Sequence, residues 1–491
     1  MQIASHTEQK GILQNRRFIV LAGLVAIGLL ATSLVEPLPV LGWLVAGGAA
    51  AVVLIKPNIG LALLVPALFF EADQFSLMLP FGRVRLYHVL VFLLFVRVVF
   101  DVATGRSQWR KTVLDWPIAA YLLLNISLIA VAPDVRVASR MAGLLVLLGL
   151  LYWTVTNLVR TRQQYLAQLR LLIVSTVGIA LFGLFQVAAV WLASRYDIKL
   201  WSGPIIHSDV IPYGRPYATF VEPDWYGTIM AAALVALALA SFAKAFAQRQ
   251  VELLGATLIV LIATLLSAVR GAWLAVGISV PLLLWLNRRY IKVLNGRILR
   301  NVTIVTLALA ALVLLVTPTM RTALLERAGS LTTSATLQEE PRFLIMQDGW
   351  QIFSEHPWLG RGPAAYTSLG TLPFVTPMYA NIVGLENFQT NALLTILIDT
   401  GLVGLALMIW LALRFSRTVW KAVKTRASDL KGEQIRTATI ALAGAVLVLA
   451  LAYQASSGIW LGLTWYLISL TIAGSMIRSN NSQVKQKTHV S

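Results

Sequence analysis

The sequence predicts an all-α protein: a polytopic transmembrane helix bundle of about 12–14 helices, with one large, partly helical extracytoplasmic loop. Three observations predict it. First, 58% of the 491 residues are hydrophobic and only 12% charged, with a mean hydropathy of +0.76. Soluble domains carry about 45–50% apolar and about 25% charged residues, so lipid must be part of this chain's solvent. Second, the apolar residues gather in serial runs of spanning length, ~20 residues each. Third, the basic residues gather between alternate runs, which is the bias that fixes orientation in a bilayer.

The net charge is +19, from 40 Lys and Arg against 21 Asp and Glu. In a soluble protein that would suggest nucleic acid; here the topology bias accounts for it, and no nucleic-acid partner is expected. There are no cysteines, hence no disulfide and no thiolate metal site. The first residues are polar and lead through Arg16 and Arg17 into an apolar run with no A-x-A cleavage signal, so that run is expected to be a retained first helix.

Taken in order, spanning runs lie near 18–35, 38–55, 58–72, 86–104, 115–132, 139–159 and 171–193. A second series lies near 224–243, 252–268, 271–287, 302–318, 389–413, 437–455 and 458–477. The run at 58–72 is the weakest, being short and interrupted by Pro66. With the N-terminus inside and every run crossing, well over half of the 40 basic residues fall on the cytoplasmic side. The expected setting is therefore a bacterial cytoplasmic (inner) membrane, with both termini cytoplasmic.

The chain is expected to form one integral membrane domain over 1–491, with disordered cytoplasmic tails at 1–14 and 479–491. The long loops then face outside, at 194–223 and at 319–388. A loop of the second size exceeds what a connection needs. Its centre places Phe343, Met346, Trp350 and Phe353 at helical spacing after Glu339-Glu340-Pro341, and Pro357 ends the pattern. Such a helix could lie on the membrane surface or cap the bundle.

Soluble-enzyme motifs are absent: no P-loop, no GxSxG, no HExxH, and no metal spacing among the five histidines. What stands out is a set of arginines on the outer side. Arg215 lies in Tyr-Gly-Arg-Pro-Tyr-Ala-Thr-Phe, just before Glu222-Pro-Asp224-Trp at a helix start. Arg270 occupies the tight turn between two apolar helices, Arg342 opens the amphipathic helix, and Arg361 lies in His-Pro-Trp-Leu-Gly-Arg-Gly-Pro. Guanidinium groups match phosphate oxygens with fixed forks and stay charged at any working pH, so such a set suits a lipid-linked diphosphate. The plainer reading is a headgroup anchor or snorkelling side chain, and it is preferred for Arg321 and Arg327.

Candidate bases are Glu222, Asp224, Glu386 and His356. Glu222 and Asp224 flank a proline at a helix N-terminus, where the dipole favours an anion; the same placement suits a simple helix cap. His356 titrates near working pH, although His-Pro also ends helices. Asp399 lies inside an apolar run, a functional candidate by default or a hydrogen-bonded structural residue near Gly401 and Gly404.

In their order, these pieces resemble the O-antigen ligase and Wzy-type O-antigen polymerase superfamily of polytopic membrane glycosyltransferases. The resemblance runs from about Tyr213 to Leu407. It rests on Ala-Thr-Phe-Val-Glu-Pro-Asp before a helix and Ser-Ala-Val-Arg-Gly-Ala after one. The stretch from Arg342 through His356-Pro-Trp-Leu-Gly-Arg-Gly-Pro follows, and then Asn391 with Gly401 and Gly404. Ligases of this superfamily carry a histidine before that asparagine; here Thr390 stands in its place. The resemblance gives that histidine a part in activating the acceptor hydroxyl, so its absence favours a polymerase-like member.

The resemblance implies transfer from a polyprenyl (undecaprenyl) diphosphate-linked glycan, polymerising repeat units of an O-antigen or exopolysaccharide at the outer face. It implies no metal and no cofactor. Arg270, Arg342, Arg215 and Arg361 would bind the diphosphate, and Glu222, Asp224, Glu386 or His356 would act as base. Partners would be the lipid-linked glycan, the bilayer and, for a polymerase, a chain-length regulator. The alternatives are ligase-type transfer of a finished glycan to lipid A core or protein and, from another class, a secondary transporter or flippase.

Overall fold

The computed structural model describes residues 52–72, 76–79, 82–198, 200, 206–208, 211–241, 243–286, 341–370, 391–424, 429–456 and 458–488. The runs expected near 18–35 and 302–318, and all but the last four residues of 38–55, lie outside them. The others appear in order as helices: α1 Pro57–Ala67, α2 Leu86–Ala103, α3 Asp115–Ser127, α4 Val135–Leu158, α5 Arg162–Tyr196, α6 Pro223–Ser241, α7 Gln250–Leu266 and α8 Arg270–Leu286. After the large loop come α9 Pro341–Glu355, α10 Ala365–Leu369, α11 Ala392–Lys424, α12 Leu430–Ala452 and α13 Gly462–Thr488. Among the described residues seven helices are long and apolar enough to cross a membrane: α2, α4, α5, α6, α7 with the turn before it, α11 and α12. Helices α1, α3 and α8 are apolar but shorter. The chain is an all-α polytopic membrane protein. Residues 479–488, expected in a tail, continue α13 as helix.

Local chemistry sets the helix starts. Asp134 accepts from the N–H groups of Arg136 and Val137 to cap α4, Thr161 and Gln164 form a reciprocal capping box on α5, and Asp429 caps α12. Helix α6 packs against α12, and α12 against α13. Ala232, Ala233 and Ala236 on α6 and Ala445 on α12 line a small apolar cavity between these helices.

Two short antiparallel hairpins were not foreseen: β1 Ser76–Leu79 with β2 Gly82–Arg85, and β3 Ile206–Ser208 with β4 Ile211–Arg215. Strands of three to five residues are too short for a period-2 signal to emerge from the sequence.

Hydrogen bonds sort the loops into two ends. At one end Arg110 N donates to Asn157 Oδ1 (2.8 Å), Arg160 Nη2 to the Gln108 carbonyl (2.6 Å), Gln434 Nε2 to the Ala245 carbonyl (3.0 Å) and Arg478 Nη1 to the Ala422 carbonyl (2.9 Å). This end is rich in cations, with Arg106, Lys111, Arg162, Arg249, Lys421, Lys424 and Lys431 added to those already named. Burial, and then the neighbouring Arg160, lower the pKa of Arg110. The opposite end gathers both hairpins, the start of α6, the α7–α8 turn, the start of α11 and the α12–α13 turn.

Candidate active site

The centre of that second end is the segment from Arg215 to Asp224. Strand β4 ends on Arg215, and α6 begins at Pro223, with the Glu222 carbonyl accepting from Tyr226 N (3.2 Å). Arg215 Nη2 lies 2.5 Å from Asp224 Oδ1, and its Nε donates to the Ser267 carbonyl (3.3 Å). One guanidinium thus ties the β4–α6 segment to the turn that leads into Arg270. Glu222 and Asp224 are buried. Ala218 (φ 51°) and Ala268 (φ 53°) sit in the left-handed region, one in this segment and one in the α7–α8 turn. Alanine there costs roughly 1–2 kcal/mol, which the surrounding contacts must offset.

The N-terminal half grips the same segment. Gln186 on α5 accepts from Tyr217 N (3.2 Å) and Ala218 N (2.8 Å). Glu71 N and Ala72 N both donate to the Thr219 carbonyl, at 3.0 and 2.8 Å, and Thr219 Oγ1 donates to the Phe69 carbonyl (2.6 Å). Burial pushes the Tyr217 hydroxyl up to about 12, so it remains a proton donor at any working pH. Glu71, Arg85 and Gln186 were not singled out in the sequence. The available signal was Glu71 at the end of an apolar run, an ionisable residue where the bundle leaves lipid.

Asn391 begins α11. Its Oδ1 accepts from Leu394 N (2.9 Å), its Nδ2 donates to the Gln454 carbonyl (2.8 Å), and Ala392 N donates to the Tyr453 carbonyl (2.9 Å). The asparagine therefore caps the helix and fastens it to the α12–α13 turn, whose Ala455 touches Gly271 beside Arg270.

Helix α11 is broken at Gly401 (φ 62°, ψ −161°), a conformation essentially restricted to glycine. The segment after α9 fills the break. Arg361 N and Gly362 N donate to the carbonyls of Ile398 (2.8 Å) and Asp399 (2.9 Å), while Leu402 N and Val403 N donate to those of Pro357 (2.8 Å) and Trp358 (3.1 Å). Both orphaned helix ends are thereby satisfied. Asp399 is buried and accepts from Ala365 N (3.1 Å). Gly404 leaves room for the Thr400 side chain.

The helix expected at the centre of the large loop is α9, and it lies on α11. Ile345, Ile352 and Phe353 are buried, whereas Phe343, Met346 and Trp350 are exposed. The helix is apolar on two faces, and the α11 surface accepts the isoleucine face. His356 is exposed at its end, and Arg361 Nη2 pairs with Glu355 Oε2 (3.0 Å). The side chain of Arg342, in the first turn of α9, and the whole of Glu386 and Thr390 lie outside the described residues. Among the described residues no cluster of three or more His, Cys, Asp or Glu could hold a metal.

Two groups thus emerge: Arg215, Glu222, Asp224 and the Arg270 turn between the hairpins and α6–α8, and His356 with Arg361 on the α9 arm. Helix α11 joins them, reaching the first through Asn391 and the second through its break. This is a helical membrane protein with arginine and carboxylate side chains gathered at one end of its bundle. Residues 255–409 match the family model of the O-antigen ligases, which supports membership of the O-antigen ligase and Wzy-type superfamily, a family of membrane glycan-transfer proteins. The matched residues run from α7 through the α11 break; the Arg215–Asp224 segment precedes them. No curated protein matches the chain.

Proposed function

We propose that the chain is a membrane glycosyltransferase that polymerises polyprenyl-diphosphate-linked repeat units at the outer face of the cytoplasmic membrane. The observation that carries this reading is the convergence at one bundle end of the Arg215–Asp224 segment and the Arg270 turn, the latter within the residues matched to the ligase family. The opposite, cation-rich end would face the cytoplasm.

In the proposed reaction an acceptor sugar hydroxyl attacks the anomeric carbon of the donor. The new C–O bond forms as the bond to diphosphate breaks, the diphosphate leaves with the electron pair, and the hydroxyl proton passes to a carboxylate. Arg270, at the start of α8, is the first candidate to stabilise the leaving diphosphate, with Arg342 and Arg361 from the α9 arm as further candidates. Arg215 is held by Asp224, so an arriving diphosphate would compete for its guanidinium. Glu222, at the N-terminus of α6 where the helix dipole favours an anion, is the first candidate base, ahead of Asp224, Glu386 and His356. Four arginines can balance a diphosphate without a metal.

The specific feature favouring polymerisation is Thr390 where ligases carry histidine. The family match and the spacing of Asn391, Gly401 and Gly404 favour the second reading, transfer of a finished glycan to lipid A core or protein.

The test is purified protein in detergent with a polyprenyl-diphosphate-linked repeat unit, product length being followed on a gel. A ladder of longer glycans is the expected result. Arg270→Ala should cost about 10²–10³-fold in kcat, the cost of removing one donor to developing charge. Transfer only after lipid A core or an acceptor protein is added would establish the ligase reading instead. A ladder that persists unchanged in Arg270→Ala would remove Arg270 from the site.

A further inference from the structure

The resemblance and the family match both lie in the C-terminal half, yet the segment carrying Glu222 is held largely from the N-terminal half. At the turn after α1, Glu71 is buried at 1% exposure. Arg85, where β2 meets α2, donates through Nε to the Glu71 carbonyl (2.9 Å) and lies 3.1 Å from its Oε2. A single guanidinium thus fixes both the peptide and the side chain of Glu71. The N–H of that residue and of Ala72 then converge on the Thr219 carbonyl, three residues before Glu222.

The carboxylate also looks toward the other half of the site. Tyr87, fully buried, faces Glu71 and Arg85, and its ring packs on Gly462 at the start of α13. Tyr453, whose carbonyl holds Ala392 at the start of α11, is tied by its hydroxyl to Thr464 (2.6 Å), two residues beyond Gly462. The Glu71–Arg85 pair therefore holds the Glu222 segment directly and borders, through Tyr87, the start of α13 beside the turn that fastens Asn391. The Glu71 carboxylate is buried and the Arg85 side chain is 17% exposed, and a pair of this kind is by itself weak evidence of stabilisation.

The geometry points to Glu71, with Arg85, as a positioning residue for glycan transfer: it sets the Glu222 segment and the Asn391 turn in the register the reaction needs. The inference rests on the proposed glycan-transfer activity. It concerns chain geometry rather than substrate contact, so the pair acts on turnover while leaving donor binding to the arginines.

The experiment measures initial rates against donor concentration, and melting temperature, for wild type, Glu71→Gln and the double variant Glu71→Gln/Arg85→Met. The single variant should lose about a hundredfold in kcat, the cost of a small misplacement, with KM for the donor within about threefold. It should also melt earlier, because the Arg85 guanidinium, 17% exposed, loses the carboxylate it pairs with. The double variant removes both charges, and with them the donor to the Glu71 carbonyl, and should regain part of the melting temperature but not the kcat. A double variant that recovers kcat together with stability would show the pair to be structural only and overturn the inference, as would a Glu71→Gln protein with wild-type kcat. Should the single variant fail to fold, the double variant decides alone by the same two outcomes. A wild type that transfers no sugar overturns the underlying glycan-transfer reading and this inference with it, which the wild-type arm separates from a failure confined to Glu71.

Discussion

Arg215 and Asp224 carry opposite charges on side chains each about one-tenth exposed, so neither has water enough to stand alone. Removing one partner of such a pair typically costs 3–5 kcal/mol, because the other charge stays buried. Arg215→Ala should therefore lower stability by about 3 kcal/mol and release the Ser267 carbonyl, which a thermal melt in detergent will register as a clear drop in midpoint. A variant with both residues replaced by apolar groups should melt close to wild type while remaining inactive. An Arg215→Ala protein with an unchanged melt would mean that the pair is a surface contact. Ala268 makes a related point, since its left-handed backbone accepts alanine or glycine but not a β-branched side chain. Ala268→Val should cost more than Ala268→Gly, by roughly 1–2 kcal/mol, in the same melt.

At the scale of elements, the α11 break is the most constrained feature. A Cβ on Gly401 would collide with the Trp358 backbone, and the glycine's ψ lies outside the range of other residues. Gly401→Ala should thus lose the four hydrogen bonds between 357–362 and α11, destabilising by about 2–4 kcal/mol, an unmade buried hydrogen bond costing about 1–3 kcal/mol alone. Limited proteolysis between 341 and 370 reads this directly, as fast cleavage in the variant and slow cleavage in wild type; equal rates would refute the clip. The exposed Phe343, Met346 and Trp350 face of α9 continues into Trp358, 70% exposed, and Leu359. Amphipathic faces of this kind rest in the headgroup region. Brominated lipids should quench the fluorescence of these two tryptophans in vesicles, and a Trp350→Phe/Trp358→Phe variant should lose a corresponding share of the quenching. If the share is unchanged, the α9 arm stands clear of the bilayer.

For the whole molecule, hydrogen bonds sort the loops into two ends with very different charge, and the positive-inside bias then orients the bundle. The chain has no cysteine, so single-cysteine labelling needs no prior substitution. In intact cells, a membrane-impermeant maleimide should label Glu355→Cys on the α9 arm and leave Lys431→Cys unlabelled until the membrane is opened. The reverse pattern would invert the proposed orientation and move the site to the cytoplasmic side.

Hydropathy and charge asymmetry determined by themselves that this is a helical membrane protein, where the described apolar helices lie, and that loops near Arg215, Arg270 and Asn391 share a side. Those properties are additive along the chain: lipid reads each run of residues locally, and the next run must return. The Asn391, Gly401 and Gly404 spacing was legible too, but not its reason, because a break in α11 has meaning only once residues 357–362 are laid into it. Tertiary structure alone decided which face of α9 is buried, that Arg215 is bound to Asp224, and that Glu71, Arg85 and Gln186 from the N-terminal half hold the Glu222 segment. Each of these depends on which polar groups meet once water is excluded. A buried donor or acceptor must find a partner across the bundle, at a sequence distance that no local pattern records.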